Sequence, residues 1–308
     1  MLLQINVPFR QNSYISPRFP IVSVRAMYVF KTNRDFDEFR RRFRASGAQV
    51  GFVPTMGALH EGHLSLIRQS LGQNDLTVCS IFVNPTQFNQ ARDLEKYPRI
   101  PEKDIILLEK AGCQVLYMPA VGEIYPDGLD TAVTIDLQGL DERMEGRFRP
   151  GHFKGVMQVV KRLLDIVQPD RLYMGQKDFQ QLCIVARMIG ALRLPVTLIM
   201  GETLREPDGL AMSSRNLRLT AEWRAKAPLI HQVLQETARD VASLPASDLQ
   251  KRALDKLAGA GFEPEYLEIA DRTTLSPVDR PGPGEKAVIC AAAWAGEVRL
   301  IDNVLAEA

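Results

Sequence analysis

Four short polar segments hold most of the side chains in this chain that could do chemistry. The first is Met56-Gly57-Ala58-Leu59-His60-Glu61-Gly62-His63, which follows an apolar run from Ala48 to Val53. A strand, a glycine-bearing turn and a helix start together make a phosphate-binding corner. Helix N-terminal amides and the helix dipole attract anions there, and glycine lets the backbone come close. His60 and His63 could add positive charge or hydrogen-bond donors. The plainer reading is a capping turn with surface histidines. A zinc site fits poorly, because the spacing departs from H-E-x-x-H and no third ligand is evident.

The second segment is Asn84-Pro85-Thr86-Gln87-Phe88, directly after the run Leu76 to Val83. Its amides can both donate to and accept from a polar substrate, or simply cap a turn. In the third, Gly175-Gln176-Lys177-Asp178-Phe179-Gln180-Gln181, Lys177 could meet a phosphate as a point charge. Asp178 could cap the next helix or bind a ribose hydroxyl. The fourth, Asp208 to Asn216, offers Ser213, Ser214 and Arg215 to a triphosphate, or is a polar interdomain loop.

These segments need a scaffold, and the apolar pattern supplies one. Helix-like stretches are Asp35 to Ala45, His63 to Leu71, Glu102 to Ala111 and Phe179 to Leu192. Strand-like ones are Gln49 to Pro54, Leu76 to Val83, Gln114 to Met118, Arg171 to Met174 and Pro195 to Met200. Val156, Val159, Val160, Leu163, Leu164 and Val167 form a helical stripe. Near-continuous apolar strands alternating with helices predict an α/β fold, a doubly wound Rossmann-like parallel sheet covered on both faces. Ligands on such sheets bind beyond the carboxyl ends of the strands, and each of the polar segments is expected to sit just after a strand.

After about residue 202 the pattern changes. Helices are expected over Glu222 to Ala242 and Asp248 to Ala258, and strands near Tyr266 to Ile269, Ala287 to Ala293 and Val298 to Ile301, with a hairpin turn at Ala295-Gly296. The division expected is a tail at 1–26, a nucleotide-binding domain at 27–202 and a smaller α+β lid domain at 203–308. Pro281-Gly282-Pro283-Gly284 reads as a loop.

Composition narrows the class. The chain has 308 residues, 45% apolar and 24% charged, and a net charge of +1. That balance lacks the basic excess of a dedicated nucleic-acid binder, and no apolar run reaches the ~18 residues of a membrane span. Cys79, Cys113, Cys183 and Cys290 stand apart among apolar neighbours, as buried thiols of a reducing compartment do. The first 26 residues lack acidic side chains. They overlap weakly with transit peptides; the plainer expectations are a disordered tail, or a start assigned too far upstream with Met27 the true start.

Each polar segment is weak alone, but their order is specific. From about Met27 onward the chain resembles the pantothenate synthetase (pantoate-beta-alanine ligase) family. The matching segments are Pro54 to His63, Ser80 to Pro85, Tyr97-Pro98-Arg99, Arg149 to Phe153, Lys177 to Gln181 and Asp208 to Asn216. The His-Glu-Gly-His and Met-Ser-Ser-Arg runs are similar to the HIGH and KMSKS signatures of the nucleotidyltransferase superfamily.

The resemblance implies that pantoate's carboxylate attacks the α-phosphate of ATP and that β-alanine then attacks the pantoyl-adenylate, releasing AMP. It implies an ATP site from Met56, Gly57, Ala58, Leu59, His60, Glu61, Gly62 and His63. Gly175, Gln176, Lys177, Asp178, Leu204, Met212, Ser213, Ser214 and Arg215 complete that site. His63, His60 and Lys177 would be catalytic, with His63 as proton donor. Gln87, Gln181 and Asn84 would hold the substrates. Mg2+ would accompany ATP, and the protein would be a cytoplasmic homodimer. Two departures stand out: Gln176 where the family usually has Glu, and Lys103 where an acid is frequent. The second leaves the metal ligands unassigned.

Three rivals remain. An enzyme adenylating a phosphate-bearing substrate would call for more Arg and Lys than Gln87 and Gln181 supply. An RNA-binding relative of tRNA synthetases would need a basic face. A regulator that binds nucleotide without catalysis would tolerate loss of His63.

Overall fold

The computed structural model describes residues 27–88, 91–129 and 133–307. The expected tail at 1–26 lies outside the described residues. Strands are β1 (Tyr28–Phe30), β2 (Val50–Thr55), β3 (Leu76–Ile81), β4 (Val115–Tyr117), β5 (Arg171–Gly175), β6 (Thr197–Gly201), β7 (Glu263–Asp271), β8 (Lys286–Ala295) and β9 (Val298–Glu307). Helices of the first half are α1 (Asn33–Arg44), α2 (Glu61–Leu71), α3 (Ala91–Glu95), α4 (Pro101–Lys110), α5 (Val121–Ile124), α6 (Met144–Phe148), α7 (His152–Val167) and α8 (Phe179–Ala191). The second half adds α9 (Ala221–Lys226), α10 (Leu229–Asp240) and α11 (Ala246–Gly259).

The six-stranded sheet is parallel throughout, in the order β1-β4-β3-β2-β5-β6. This is the α/β class the apolar runs predict. From β2 the chain winds outward through β3 and β4, and from β5 it winds the other way to β6. Right-handed crossovers therefore put α2 and α8 on opposite faces. The buried side chains agree: Leu64 and Ile67 of α2 pack with Val53 and Cys79, whereas Ile184 and Val185 of α8 pack with Phe52 and Leu172. The adjacent pair β2 and β5 is the switch point, and a crevice opens beyond their carboxyl ends.

The remaining strands form an antiparallel sheet, β7-β8-β9. Alternation sends Leu267, Ile269, Ile289 and Ala291 toward α10 and α11. Tyr266, Val288, Cys290 and Ala292 face the core of the parallel-sheet half. The small sheet is thus buried on both sides.

Several elements differ from the sequence reading. The helix expected over Glu222 to Ala242 is two, α9 and α10, because Pro228 lacks an amide and cannot continue the first. β9 runs past Ile301 to Glu307, through the buried polar pair Asp302 and Asn303. The hairpin turn is Gly296-Glu297, one residue later than expected. β1 is not anticipated by the sequence; three residues at a sheet edge leave too short a pattern. Cys79, Cys113 and Cys290 are buried, Cys183 is partly so, and all four are unbridged. Among the described residues no helix is long and apolar enough to cross a membrane.

Candidate active site

The crevice at the switch point holds a cleft of about 220 Å3. Its floor is the turn after β2. Gly57 has φ +80° and Ala58 φ +49°, and a left-handed non-glycine residue marks stored strain. Two contacts hold the turn. The buried Asp104 carboxylate of α4 accepts the Ala58 amide at 2.8 Å and the Leu59 amide at 2.7 Å. The Ser214 hydroxyl donates to the Ala58 carbonyl at 2.9 Å, which ties the Met212 to Arg215 segment onto the turn. Burial raises the proton affinity of Asp104, and the two amides oppose that rise.

The histidines form a reciprocal helix cap. His60 Nδ1 accepts the Gly62 amide at 3.2 Å, and His63 Nδ1 accepts the His60 amide at 3.3 Å. Their ring centroids are 4.0 Å apart. Because both Nδ1 atoms accept, each neutral ring carries its proton on Nε2. Burial first, then the charge of Lys177, lowers the His60 pKa to about 4. Burial, then His60 and Lys177, holds His63 well below its ordinary range. Of the two roles open to the histidines, donors rather than charges, the neutral one is what the site favours at pH 7. The amides of Ala58, Leu59, His60 and Gly62 are all engaged within the protein, so this corner presents imidazole N–H groups rather than a bare backbone nest.

The loop after β3 forms the second wall. Asn84 is buried. Its amide donates to Gln87 Oε1 at 3.2 Å and to the Gly155 carbonyl at 3.1 Å, and its oxygen accepts the Tyr125 hydroxyl at 2.9 Å. It therefore orients Gln87, whose Nε2 lies 2.9 Å from Met56 Sδ. The Gln87 carbonyl pairs with His152 Nδ1 at 2.7 Å, and Arg149 Nη1 lies 3.2 Å from His152 Nε2. Burial and Arg149 lower the His152 pKa to about 4, so the neutral ring donates from Nδ1 and accepts from Arg149.

The turn after β5 brings Gly175, Lys177, Asp178 and Gln181 to the same cleft, and Leu204, Met212, Ser213, Ser214 and Arg215 close its open side. Asp93 pairs with Arg215 at 2.9 Å and Arg218 at 3.1 Å. Burial alone would raise the Asp93 pKa, but the two arginines hold it below the usual carboxylate range.

Of the residues singled out from sequence, Met56, His60, Gly62, His63, Asn84 and Gln87 also line the cleft. Gly57, Ala58 and Leu59 lie beneath it as the strained turn. Glu61 points away and pairs with Arg68 at 2.7 Å. Gln176 turns to the small sheet, where its side chain donates to Asn303 Oδ1 at 3.1 Å. Lys103 is exposed, while the next residue, Asp104, does the anchoring. The sequence reading missed Asp104, and it gave Arg149 and His152, which lie in a segment that carries the resemblance, no role. A signal for Asp104 existed: it shares a buried helical stripe with Leu108, four residues on.

The chain and its fold have known relatives. The family model described as Pantoate-beta-alanine ligase matches residues 28–305. The chain is 45% identical over 280 residues to a pantothenate synthetase of Porphyromonas gingivalis, covering 90% of this chain and 99% of that protein. It is 46% identical over 279 residues to the pantothenate synthetase of Bacteroides thetaiotaomicron, covering 90% and 98%. Among solved structures, pantothenate synthetase from Thermus thermophilus superposes with TM-score 0.82 at 39% identity, covering 90% of this chain and 98% of that one. A pantoate-beta-alanine ligase from Francisella tularensis, complexed with beta-gamma ATP and beta-alanine, gives TM-score 0.78 at 35% identity, covering 91% and 98%.

Proposed function

The chain belongs to the pantoate-beta-alanine ligase family and is an ATP-dependent ligase joining pantoate to β-alanine; we propose that it works through a pantoyl-adenylate held in the cleft at the switch point. A carboxylate is a poor electrophile, and adenylation gives it a good leaving group. In the first step a pantoate oxygen bonds to the α-phosphorus as the bond to pyrophosphate breaks. In the second the β-alanine nitrogen bonds to the acyl carbon, the bond to AMP breaks and the amine loses a proton.

The observation that carries this reading is the convergence of the His60 and His63 rings, Lys177 and Gln87 on one cleft. The neutral imidazoles donate from Nε2 to phosphate oxygens as charge develops, with His63 as proton donor, and Lys177 supplies the fixed positive charge. Gly175 and Asp178 take the ribose side and the Leu204 backbone the adenine. Met212, Ser213, Ser214 and Arg215 cover the triphosphate and keep water from the adenylate. Gln87 and Gln181 hold pantoate, with Asn84 setting the Gln87 rotamer. Gly57, Ala58, Leu59, Glu61 and Gln176 support the site from outside the cleft.

Mg2+ belongs to the substrate in this reading, as the counterion of ATP. The nearby acids suit that arrangement. Asp104 is engaged by two amides and Asp93 by two arginines, and Mg2+ commonly binds through phosphates and water with few protein ligands. We also infer a cytoplasmic homodimer and a lid at 203–308, with the loop from Glu202 to Asn216 as its hinge.

Pyrophosphate release with ATP, Mg2+ and pantoate tests the reading, run with and without β-alanine while AMP is followed. Near-stoichiometric release with pantoate alone, then sustained AMP once β-alanine is added, is the expected result. No pantoate-dependent pyrophosphate from protein that still binds ATP would refute the adenylate.

A further inference from the structure

Asp302 and Asn303 are adjacent in β9, and both are buried. Successive side chains of a strand point to opposite faces. Asp302 shares the face of Ala291 and looks toward α10, where His231 Nδ1 lies 3.7 Å away. Asn303 shares the face of Cys290 and looks toward the parallel-sheet half. Two polar side chains buried back to back need partners on both sides of the strand. On the first side the Asp302 carboxylate accepts two N–H groups of Arg205, at 2.6 and 3.0 Å. Arg205 also donates to the Asn303 carbonyl at 3.2 Å and to the Gly209 carbonyl at 3.1 Å. Its backbone forms a bridge with Ala211, and the Met212 amide donates to the Leu204 carbonyl at 2.9 Å. The loop assigned to adenine and triphosphate is thus fastened to β9.

On the other side Asn303 grips the turn after β5. Its Nδ2 donates to the Lys177 carbonyl at 2.8 Å and to the Gln176 carbonyl at 3.1 Å, and its Oδ1 accepts Gln176 Nε2 at 3.1 Å. Its backbone amide donates to Asp302 Oδ1 at 2.8 Å. Both side-chain hydrogens are used, so the amide has one orientation; turned over, its oxygen would face two carbonyls. The turn has little support of its own. Gln176–Asp178 is a single 3-10 turn, and among the described residues neither it nor α8 has a side-chain cap at its start. The position of Lys177 is therefore set from outside its own segment.

We propose that Asn303 is a positioning residue for the reaction. It holds the backbone of Lys177 so that the ammonium group meets phosphate in the cleft, and Asp302 and Arg205 keep it in register with the loop that covers the nucleotide. The inference rests on the reading above in which Lys177 supplies the fixed positive charge. A flexible four-carbon stem places its charge no better than its own backbone is placed. A misplacement of about 1 Å can cost about 100-fold in rate. Asn303 acts through Lys177 and not on a substrate, so the two residues should behave as one unit.

The test measures kcat for pantothenate formation in full-length Asn303→Leu, Lys177→Met and the double variant, with thermal melting to show that each is folded. Asn303→Leu keeps much of the side chain's shape and removes its donors. It should lower kcat about 10- to 100-fold. Lys177→Met should lower kcat at least as far. The double variant should be within about threefold of Lys177→Met alone, because nothing is then left to position. Losses that multiply would mean that Asn303 serves the fold and not Lys177, and would overturn the assignment. So would a wild-type kcat in Asn303→Leu while Lys177→Met is slow. A wild-type kcat in Lys177→Met would instead refute the role of Lys177 itself, and with it any positioning of that role. Should Asn303→Leu not fold, Asn303→Ser, whose hydroxyl has one hydrogen for two carbonyls, enters the same cycle with the same outcomes.

Discussion

His60 has two duties that can be separated. Its Nδ1 caps α2 and its Nε2 is the donor assigned to phosphate. Asparagine is a strong N-cap and lacks a donor at the reach of Nε2. His60→Asn should therefore keep stability within about 0.5 kcal/mol while pyrophosphate release slows by about 100-fold or more, the usual loss on removing one charge-stabilising donor. Thermal melting beside a pyrophosphate assay measures both; equal loss of stability and activity would mean the cap is all His60 provides. The same rings set an acid limit. His60 and His152 titrate at about 4 in the folded protein, against an ordinary value of 6.5. Between those values the unfolded chain binds protons that the native state does not, so stability falls as pH drops from about 6.5 toward 4 and is fully present above that window. Each ring contributes up to about 3 kcal/mol to the loss. Chemical denaturation at pH 7.5, 5.5 and 4.5 should show it, and a flat profile would contradict the neutral-ring assignment.

The position of the substrate loop is set by a helix that almost collides with it. A Cβ on Gly155 of α7 would lie 2.2 Å from the Thr86 carbonyl oxygen and 2.7 Å from the Gln87 nitrogen. Gly155→Ala must push the loop, costing about 1–3 kcal/mol. KM for pantoate should rise several-fold while KM for ATP, bound by other loops, stays near wild type; parallel rises in both would show that the loop serves the whole cleft. The α7 stripe was plain in the sequence, because Val156, Val159, Val160 and Leu163 repeat at helical spacing, but the need for glycine was not. Close approach of two backbones is a tertiary fact with no local pattern. Asp104 is a milder case: its spacing to Leu108 puts it on the buried face of α4, but nothing local says that its carboxylate takes the Ala58 and Leu59 amides. Regular elements were legible where burial imposes a period, as in β2, β3 and α8. β9 was cut short because Asp302 and Asn303 look like a strand end. In the fold they are buried partners, Asp302 for Arg205 at 2.6 Å and Asn303 for the Lys177 carbonyl at 2.8 Å.

At the scale of the whole molecule, the small sheet is joined to the large one by charge as well as by apolar packing. Arg299 of β9 grips Glu145 of α6 through two nitrogens and Glu265 of β7 through a third. The Glu145 amide in turn donates to Gln180 Oε1 at 2.9 Å, at the start of α8. Burial alone would raise the Glu145 pKa, but Arg299, Arg149 and Tyr266 lower it to about 2 from 4.5. Breaking such a pair from one side strands a buried charge, at a cost of about 3–5 kcal/mol, whereas replacing both partners by neutral groups of similar shape costs much less. Arg299→Met should therefore destabilise strongly, and Glu145→Gln with Arg299→Met should recover part of the loss, a coupling that a double-mutant cycle in urea measures. The link also predicts how the molecule unfolds. With it intact, the faces of Tyr266, Val288 and Ala292 stay in the core of the parallel-sheet half, and one transition is expected. In Arg299→Met the small sheet loses its polar clamp, so tryptophan fluorescence should change ahead of far-UV circular dichroism, because both tryptophans, Trp223 and Trp294, lie in the second half of the chain. Coincident transitions in that variant would show that apolar packing alone unites the two halves.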